Sequence, residues 1–401
     1  MTHEHDDFEI IRDEARRFLA DAAQPEHLKP LLEQPGGFDR QTWKGAAELG
    51  WPLTSFDEAH GGLGLGWRGL CVLAEELGRT TLSVPLLPTA LAGRWLLGLD
   101  AADEATAAVA ETLVAGERHA CVAFAQAGAA GVAATPTLAL RDGRLFGETA
   151  ITPFAASADY ALVPALDGTD FCLVLVRTGG MHGAPSDAAR HGAWNAAENA
   201  AGGAARTASA AGAPMRVDVP NVIDNSRAAA RLRFDGAPAL TRESGEHARQ
   251  RFWQLLGLAA LATAFEQVGG AQTCLDMARG YALERKAFGQ QIGRFQAIKS
   301  KLADMYIHIE LARGCALDAL AAFERGDAEW EGLAAAARLA ATDAYEFAAR
   351  ENIQTHGAIG VTWEAMPHHH YRRSRALAVE LGASLVWRER LFSQIGFDHA
   401  A

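Results

Sequence analysis

The sequence ALERKAFGQQIGRFQAIKSKLADM, residues 282–305, interrupts a long helical pattern with residues that a plain helix does not need. Arg285 and Phe288 are three residues apart, so they would share one face of a helix. Gly289 and Gly293 then predict that one helix ends and another begins between them. Beyond this break, an apolar stripe recurs at helical spacing, formed by Phe295, Ile298, Leu302 and Met305. The stretch predicts two helices joined by a short break that has a cation and an aromatic ring beside it.

The residues alone leave two interpretations of Arg285 and Phe288 open. A guanidinium pairs with phosphate and an aromatic ring stacks on a planar group, so the pair suits a planar, anionic ligand. Alternatively, Arg285 caps the last carbonyls of its helix while Phe288 fills the core. Motifs this short do not decide between the two.

A second informative segment, QTHGAIGVTWE at residues 354–364, follows a helical pattern at 339–353. Its Gly357 and Gly360 would let backbone N–H groups approach a phosphate closely, as in nests and at helix N-termini. Most Gly-x-x-Gly pairs are ordinary turns. The position of this pair, about one helical hairpin after the Arg285 segment, is what makes it a candidate site.

Together the two segments resemble signature regions of the acyl-CoA dehydrogenase family, flavoenzymes that desaturate acyl thioesters. In that family the corresponding residues contact an FAD bound by a neighbouring subunit, and those of the second segment hold its pyrophosphate and adenine side. Many members have Gly-Gly where this chain has Gly357-Ala358, a small change that we expect the loop to tolerate. The FAD contacts that the resemblance implies are Arg285, Phe288, Gln296, Gln354, Gly357 and Gly360.

Composition narrows the class of protein. With 401 residues, 49% of them hydrophobic, the chain can bury a large core and form two or three domains. A net charge of −12 argues against nucleic acid as a partner. The five cysteines have no paired spacing, the acidic N-terminus lacks a signal-peptide core, and no apolar run reaches the length of a membrane span. A reducing, cytoplasmic location is predicted.

Residues 1–118 are predicted to form an N-terminal helical domain. An apolar stripe begins at Phe8, and a glycine-rich connector follows between Asp57 and Gly66. No Lys or Ser/Thr follows this connector at P-loop spacing. The connector and the sequence Glu-Glu-Leu-Gly at 75–78 resemble the N-terminal domain of the family.

Residues 119–238 are predicted to form a small middle β-domain, which the resemblance to the family implies is a β-barrel. Short apolar runs at 138–140, 160–163 and 171–176 are bounded by Asp, Gly and Pro, which is typical of strands. Asp142-Gly143 and Asp167-Gly168 predict tight turns. Ala- and Gly-rich residues from about 179 to 212 lack periodicity, which predicts a mobile insertion or long loop.

Residues 239–401 are predicted to form a C-terminal helical bundle. Its helices are predicted at 252–264, 267–281, 292–325, 330–352 and 377–392. The fold class is therefore α+β, in the order N-terminal helical domain, middle β-barrel and C-terminal bundle, as in acyl-CoA dehydrogenases.

The catalytic base is the part of the predicted site where this chain departs from the family's pattern. The chemistry implied by the resemblance removes the α-proton of a thioester while the β-hydrogen leaves as hydride to the flavin, and it needs a carboxylate in a dry pocket. One branch of the family keeps this carboxylate before the last helix, which is Leu381 here; a one-residue gap would place Glu380 there. Another branch keeps it on an earlier helix, where this chain has Ala259. Glu266 is seven residues further on, on the same face and roughly 10 Å away.

Two flavin-side motifs of the family's β-domain are altered in this chain. A Thr-Glu-Pro-Gly motif is replaced by Ala-Gln-Ala-Gly at 125–128. A later Trp-x-Thr, which packs on the flavin in the family, becomes Ala150-Ile151-Thr152, so Thr152 alone is kept.

The resemblance implies a FAD-dependent acyl-CoA dehydrogenase of lipid metabolism, a dimer or tetramer that passes electrons to an electron-transferring flavoprotein. The Gly-Val-Thr-Trp-Glu sequence at 360–364 is similar to that of members acting on steroid side chains and other bulky acyl-CoAs, which include mixed tetramers. Two hypotheses follow. The chain is an active dehydrogenase with Glu380 as base, or it is a non-catalytic subunit that lends Arg285, Phe288 and Gln354 to a partner's flavin.

Three consecutive histidines, residues 368–370, do not predict a metal site. Consecutive side chains on a helix point in different directions, so they do not share one ion easily. No cysteine or acidic ligand lies nearby at a working spacing.

Overall fold

A computed structural model describes residues 2–100, 102–125, 132, 135–179, 206–208 and 213–394 of the chain. The chain forms two compact units, each described by itself. The helical unit comprises residues 1–28, 49–83 and 253–401, and the sheet unit comprises residues 29–48 and 84–252. The predicted domain boundaries at 118/119 and 238/239 stay a prediction.

The helices within the described residues are α1 (Thr2–Ala22), α2 (Pro25–Glu33), α3 (Arg40–Glu48), α4 (Gly66–Thr80), α5 (Leu86–Leu97), α6 (Glu104–Val114), α7 (Glu246–Glu284), α8 (Gln296–Arg325), α9 (Trp330–His356), α10 (Pro367–Glu380) and α11 (Ser384–Gln394). In the helical unit, α9 packs against α8, α10 and α11, while α1 packs against α4. The strands are β1 (Ala120–Val122), β2 (Ala139–Arg141), β3 (Arg144–Glu148), β4 (Tyr160–Asp167), β5 (Asp170–Arg177), β6 (Arg206–Ala208), β7 (Met215–Val219), β8 (Arg231–Ser244), β9 (Lys286–Ala287) and β10 (Gln290–Gln291).

The sheet unit contains a closed ring of strands. β4 pairs with β2 and β5, β2 pairs with β3, and β3 and β5 both pair with β8. β8 closes the ring because its first half, up to Pro238, pairs with β3, while its second half, from Ala239, pairs with β5. Alternating residues such as Val163, Val174 and Leu232 fill the interior. The predicted α+β fold class, with its middle barrel, is confirmed.

One of the two predicted tight turns is centred on its Asp-Gly pair, and the other is shifted by one residue. Asp142 and Gly143 are the two central residues of the β2–β3 hairpin, both with positive φ, as a type I′ turn requires. The β4–β5 turn instead centres on Gly168 and Thr169, because Asp167 still pairs with Asp170 in the ladder.

The C-terminal helices match the predicted number, five, but differ from the prediction in where they begin and end. The two helices expected at 252–264 and 267–281 are one helix, α7, of 39 residues. The single helix expected at 377–392 is instead α10 and α11, separated at Gly382, whose φ of +93° ends a helix. The helix expected from 292 begins at Gln296, after a 3-10 turn at Ile292–Arg294.

The Ala- and Gly-rich stretch predicted as an insertion, about 179–212, lies mostly outside the described residues. Its described part includes β6, which pairs antiparallel with β7 in register Thr207 to Asp218. That part of the stretch is a strand rather than a loop.

Candidate functional site

The Arg285 segment forms a β-hairpin at the end of α7. Ala287 pairs with Gln290, and the two residues between them, Phe288 and Gly289, have φ of +51° and +78°. The prediction that Arg285 and Phe288 share a helix face is therefore wrong, because α7 ends at Glu284. Positive φ at both central residues matches the twist of a two-residue hairpin, which explains why the chain turns here.

Phe288 lies at the tip of this hairpin, and its side chain is 96% exposed. Its ring contacts Phe295 edge-on, with centroids 6.2 Å apart. The alternative in which Phe288 fills the core is excluded by this exposure. A bulky residue with φ above zero is uncommon and costs roughly 1–2 kcal/mol relative to glycine.

Arg285 has a fixed backbone and an exposed side chain. Its N–H donates to the Tyr281 carbonyl at 2.8 Å, the last helical bond of α7, and its carbonyl accepts from the Ile292 N–H at 2.8 Å. The guanidinium is thus presented from a rigid base, available to an anionic group.

The second segment follows α9. Gly357 ends that helix with φ of +67° and ψ of −141°, a backbone conformation that favours glycine, and a Cβ there would meet no atom within 4 Å. Gly360 lies in the 3-10 turn that follows and is buried. A Cβ on Gly360 would lie 2.9 Å from the Ile353 carbonyl oxygen, so close packing already explains this glycine.

The two segments lie at the same end of the helical unit. Tyr281, one turn before Arg285, stacks on His356, one residue before Gly357, with ring centroids 4.3 Å apart. Lys301 lies in the second turn of α8 and Glu351 near the end of α9, and the two form an ion pair of 2.8 Å. Residues that are about 70 positions apart in the chain are thereby brought together.

The residues at this end fit FAD in their chemistry. The side chains of Arg285, Phe288, Gln296 and Gln354 are exposed, and so is the backbone at Gly357. A guanidinium and an open glycine backbone suit a pyrophosphate, while an exposed ring suits a planar base or ring system. Among the predicted contacts at this end of the helical unit, Gly360 is the buried one.

Thr152 belongs to the sheet unit and is 3% exposed. Its hydroxyl donates to the Ala150 carbonyl at 3.1 Å, and its backbone exchanges hydrogen bonds with Ala230 at 2.7 and 3.0 Å. Of the altered motif at 125–128, Ala125 is described, and the other three residues lie outside the described residues.

The positions considered for the base all belong to the helical unit. Glu380 is the last residue of α10 and is half-buried, while Leu381 is buried at the helix end. Ala259 is buried within α7. Glu266 is held by Arg373, whose guanidinium lies 3.0 Å from the carboxylate, so this acid is part of a buried ion pair.

Sequence reasoning missed two buried arginines beside this region. Arg373 also donates to the Thr81 carbonyl at 2.7 Å and to Ser83 Oγ at 2.6 Å. Arg338 donates to Gln267 Oε1 at 2.6 Å, to Thr342 Oγ1 at 2.7 Å and to the Leu377 carbonyl. The sequence carries one signal for Arg338. It is a charged residue inside an alanine-rich run at 334–341, where the helix does not need a charge to face solvent.

The three histidines take separate structural positions. The Tyr345 hydroxyl lies 2.9 Å from His370 Nδ1, and His368 Nδ1 lies 2.8 Å from the Ala365 carbonyl. Burial, with Arg373 and His369 nearby, lowers the pKa of His370 to about 3, so it is neutral at physiological pH. Across the described ranges, no three His, Cys, Asp or Glu side chains are grouped so as to hold a metal ion.

Among the residues with described structure, none of the helices combines the length and hydropathy that crossing a membrane requires. The five cysteines are all free, and four of them are buried.

Comparison with known proteins identifies the same family at both ends of the chain. The family model for the acyl-CoA dehydrogenase N-terminal domain matches residues 5–117, and that for the acyl-CoA dehydrogenase C-terminal domain matches residues 250–395. Acyl-CoA dehydrogenase IpdE2 of Mycolicibacterium smegmatis is 25% identical over 96% of this chain and 98% of its own length. Its namesake in Mycobacterium tuberculosis is 36% identical over 43% of this chain and 50% of its own length. Acyl-CoA dehydrogenase FadE34 of M. tuberculosis is 29% identical over 96% of this chain, which spans 46% of that protein.

Solved structures give the same fold over nearly the whole chain. A variant of the Tcur3481–Tcur3483 steroid ACAD superposes with a TM-score of 0.80 at 27% identity, covering 98% of both chains. A chain of the ChsE4–ChsE5 complex from M. tuberculosis has a TM-score of 0.77 at 23% identity, again over 98% of both, which shows the fold alone. The enzyme class and FAD as its cofactor are confirmed at the level of the family. With both family models matched, in the same order along the sequence, this chain belongs to the acyl-CoA dehydrogenase family.

Proposed function

We propose that this chain desaturates an acyl-CoA thioester between its α- and β-carbons, with an FAD site that two subunits complete together. When bound, FAD supplies the acceptor for the hydride that leaves the β-carbon. The residues of this chain hold the cofactor from across the interface and remove the α-proton.

The conformation of Phe288 is the observation that carries this proposal. A phenylalanine at a strained position, almost fully exposed, neither packs the core nor eases the turn. Such outliers cluster at functional sites, where a ligand or partner repays the strain. A planar cofactor held by a neighbouring subunit would cover the ring, and Arg285 beside it would pair with the pyrophosphate.

We assign Gln296, Gln354 and Gly357 to the same FAD contact, because each is exposed at the end of the helical unit where Tyr281 meets His356. Gly360 would act by holding the turn rather than by touching the cofactor, since it is buried. Thr152 is proposed as a flavin contact on the family resemblance alone, because its hydroxyl, its backbone N–H and its carbonyl already hydrogen-bond within the chain.

We propose Glu380 as the base that takes the α-proton. It is an acid at the end of α10, half-buried, next to the position where one branch of the family keeps its carboxylate. Gly382 follows with a positive φ and ends the helix just after it.

The names of the relatives support a proposal for the substrate class. A steroid ACAD among the similar structures supports a bulky, polycyclic acyl group on coenzyme A, and so a role in lipid metabolism. We propose an electron-transferring flavoprotein as oxidant, a dimer or tetramer as the assembly, and a reducing cytoplasm as the location, in keeping with five free cysteines.

A second candidate function is that of a non-catalytic subunit which lends Arg285, Phe288 and Gln354 to the flavin of a homologous partner. The observation that favours it is the apolar residue at both usual positions of the base, Leu381 and Ala259, each buried. One structural relative is described as a complex of two differently named proteins, ChsE4 and ChsE5.

One experiment separates the two candidates. The chain is purified alone, its FAD per chain is measured by absorbance, and turnover is assayed with straight-chain and polycyclic acyl-CoAs and an artificial electron acceptor. We expect turnover, a loss of at least roughly a hundredfold in Glu380→Gln with unchanged FAD, and no loss in Glu389→Gln, an exposed acid on α11. Full turnover by Glu380→Gln would refute this base, and turnover only after adding a homologous partner would establish the second candidate.

A further inference from the structure

The last turn of α10 is held by a buried arginine of α9. Arg338 is 1% exposed, and one of its terminal nitrogens donates to the Leu377 carbonyl. Leu377 is among the last four residues of α10, whose carbonyls have no partner further along the helix. The N–H of Leu381 turns to the Val379 carbonyl, as does that of Gly382 at 3.1 Å, so the regular helix pattern stops here. Arg338 therefore caps α10 from inside the protein.

The guanidinium is itself held in one orientation. Its other terminal nitrogen donates to Gln267 Oε1 of α7 at 2.6 Å and to Thr342 Oγ1 of α9 at 2.7 Å. Gln267 Nε2 in turn donates to Thr342 Oγ1 at 3.2 Å. Three helices, α7, α9 and α10, thus meet at a single planar cation whose fork geometry admits few alternatives.

A cap of this kind is expensive for a helix end alone. Removing a cation from water costs several kcal/mol, and a glycine or a water molecule caps most helices without it. Gly382, with φ of +93°, already stands where a capping glycine is expected. What the arginine adds is a fixed position of the α10 terminus relative to α7, the helix that carries Ala259.

We propose that Arg338 is a positioning residue for desaturation: it sets where Glu380, three residues after Leu377, meets the substrate. The inference rests on the proposed role of Glu380 as base. A second arginine anchors the earlier part of α10, since Arg373 pairs with Glu266 of α7 at 3.0 Å. Arg373 fixes the body of α10, whereas Arg338 fixes its end. Their partners on α7 are adjacent residues: Glu266 pairs with Arg373, and Gln267 accepts from Arg338.

The test compares three variants of the purified, FAD-loaded protein. Arg338→Lys keeps the charge but loses the fork, and Gln267→Leu leaves the arginine but removes the acceptor that orients it. Tyr345→Phe is the matched control: it removes a buried hydrogen bond between α9 and α10, at His370 in the first half of α10. Each variant is compared with wild type by amide hydrogen exchange and by steady-state kinetics.

Exchange is read over residues 376–386 and over residues 367–374. We expect Arg338→Lys to speed exchange at 376–386 about tenfold, the size expected for one hydrogen bond to a charged group, with little change at 367–374. Tyr345→Phe should change the first half of α10 and leave 376–386 as in wild type. Equal acceleration in both halves, or none, would overturn the proposal whether or not Glu380 is the base. If Arg338→Lys does not fold, Gln267→Leu takes its place, with the same expectation of faster exchange at 376–386 and little change at 367–374.

Kinetics test the link to Glu380. We expect Arg338→Lys to lower kcat roughly 10- to 100-fold with KM little changed, the effect of misplacing a catalytic group, and Tyr345→Phe to leave kcat unchanged. In a Glu380→Gln background the Arg338→Lys change should cost nothing further, because the group that it positions is gone. If the fold-loss in kcat of the double variant equals the product of the two single losses, the positioning role is overturned. If Glu380→Gln alone keeps full turnover, the base assignment fails, and the exchange data still decide whether Arg338 holds the α10 end.

Discussion

At the scale of single residues, the chain holds a phenylalanine where a glycine would be more stable. Phe288 has φ of +51°, and its ring is exposed. Asp142 occupies the equivalent first position of the β2–β3 hairpin with φ of +50°. Both residues carry backbone strain, but aspartate is among the residues that tolerate this conformation, whereas phenylalanine is not.

We predict that Phe288→Gly leaves the free energy of unfolding unchanged or raises it by up to about 1 kcal/mol, because it relieves the strain. The same change should lower FAD content sharply, since the stacking ring is lost. Thermal melting of the apoprotein and flavin absorbance per chain measure the two effects. Asp142→Gly is the control: it places glycine at the equivalent hairpin position of the sheet unit and should leave FAD content as in wild type. A Phe288→Gly protein with full FAD would show that the ring does not serve the cofactor.

At the scale of elements, α4 and α7 cross with almost no space between their backbones. A Cβ on Gly78 would overlap the Glu266 carbonyl oxygen, and a Cβ on Gly269 would overlap the Glu75 carbonyl oxygen. The two glycines are reciprocal, each facing the backbone of the other helix. This contact explains why α7 has a glycine at 269, and the Tyr345 side chain packs as closely on Gly270, so both glycines serve packing although each weakens a helix locally.

We predict that Gly78→Ala and Gly269→Ala each lower the free energy of unfolding by about 2–3 kcal/mol, because backbone atoms cannot move aside as a side chain can. Gly280→Ala lies in the same helix with no atom within 4 Å of its added Cβ, so it should be neutral or stabilise by up to about 1 kcal/mol. Denaturant unfolding of the three variants measures this. Equal effects at positions 269 and 280 would mean that the helices do not cross this closely.

Helix α4 also carries a pair of buried acids. Glu75 and Glu76 of α4 are 3% and 1% exposed, and they pair with Arg12 and Arg16 of α1, with Arg79, and with Arg313 of α8. Burial opposes the ionised form of Glu75, but Arg313, Arg12 and Arg79 outweigh it and hold its pKa below the ordinary 4.5. A carboxylate with a lowered pKa in the folded state adds stability above its unfolded pKa and loses it as the pH falls.

We predict that the protein loses stability as the pH is lowered below about 4.5, and that Glu75→Gln flattens this part of the profile. At neutral pH the variant should be less stable by about 3 kcal/mol, because its arginine partners remain without the charge. Denaturant unfolding at a series of pH values measures both effects. Asp276→Asn, an exposed acid on α7, should leave the profile unchanged. An unchanged slope in Glu75→Gln would assign the acid sensitivity to other groups.

At the scale of the whole molecule, the exposed hairpin and Gly357 belong to a single end of the helical unit, and under the proposed function they serve a neighbour's cofactor. A single chain would then hold only part of each FAD site. Cofactor binding and assembly should be one linked equilibrium, because whatever binds the assembled form stabilises it.

We predict that dilution releases FAD in step with dissociation of the oligomer, and that added FAD shifts the dissociation to lower protein concentration. Sedimentation velocity, followed at the flavin absorbance and the protein absorbance, measures both. An Arg285→Ala, Phe288→Ala double variant should shift the two curves together toward higher concentration. Monomers that keep one FAD per chain would contradict the shared site.

The sequence by itself determined the order of helices and strands, the barrel and the two segments of the candidate site. Periods of 3.6 and 2 residues, Asp-Gly turns and paired glycines are local signals, and together with the family resemblance they predicted the fold class that was confirmed. Tertiary structure decided the rest. α7 continues through Gly269 because Glu75, almost two hundred residues earlier, packs on it, and the segments of Arg285 and Gly357 share one end of the helical unit because Tyr281 stacks on His356. Close backbone contact and buried charge depend on residues far apart in the chain, so no window of local sequence contains them.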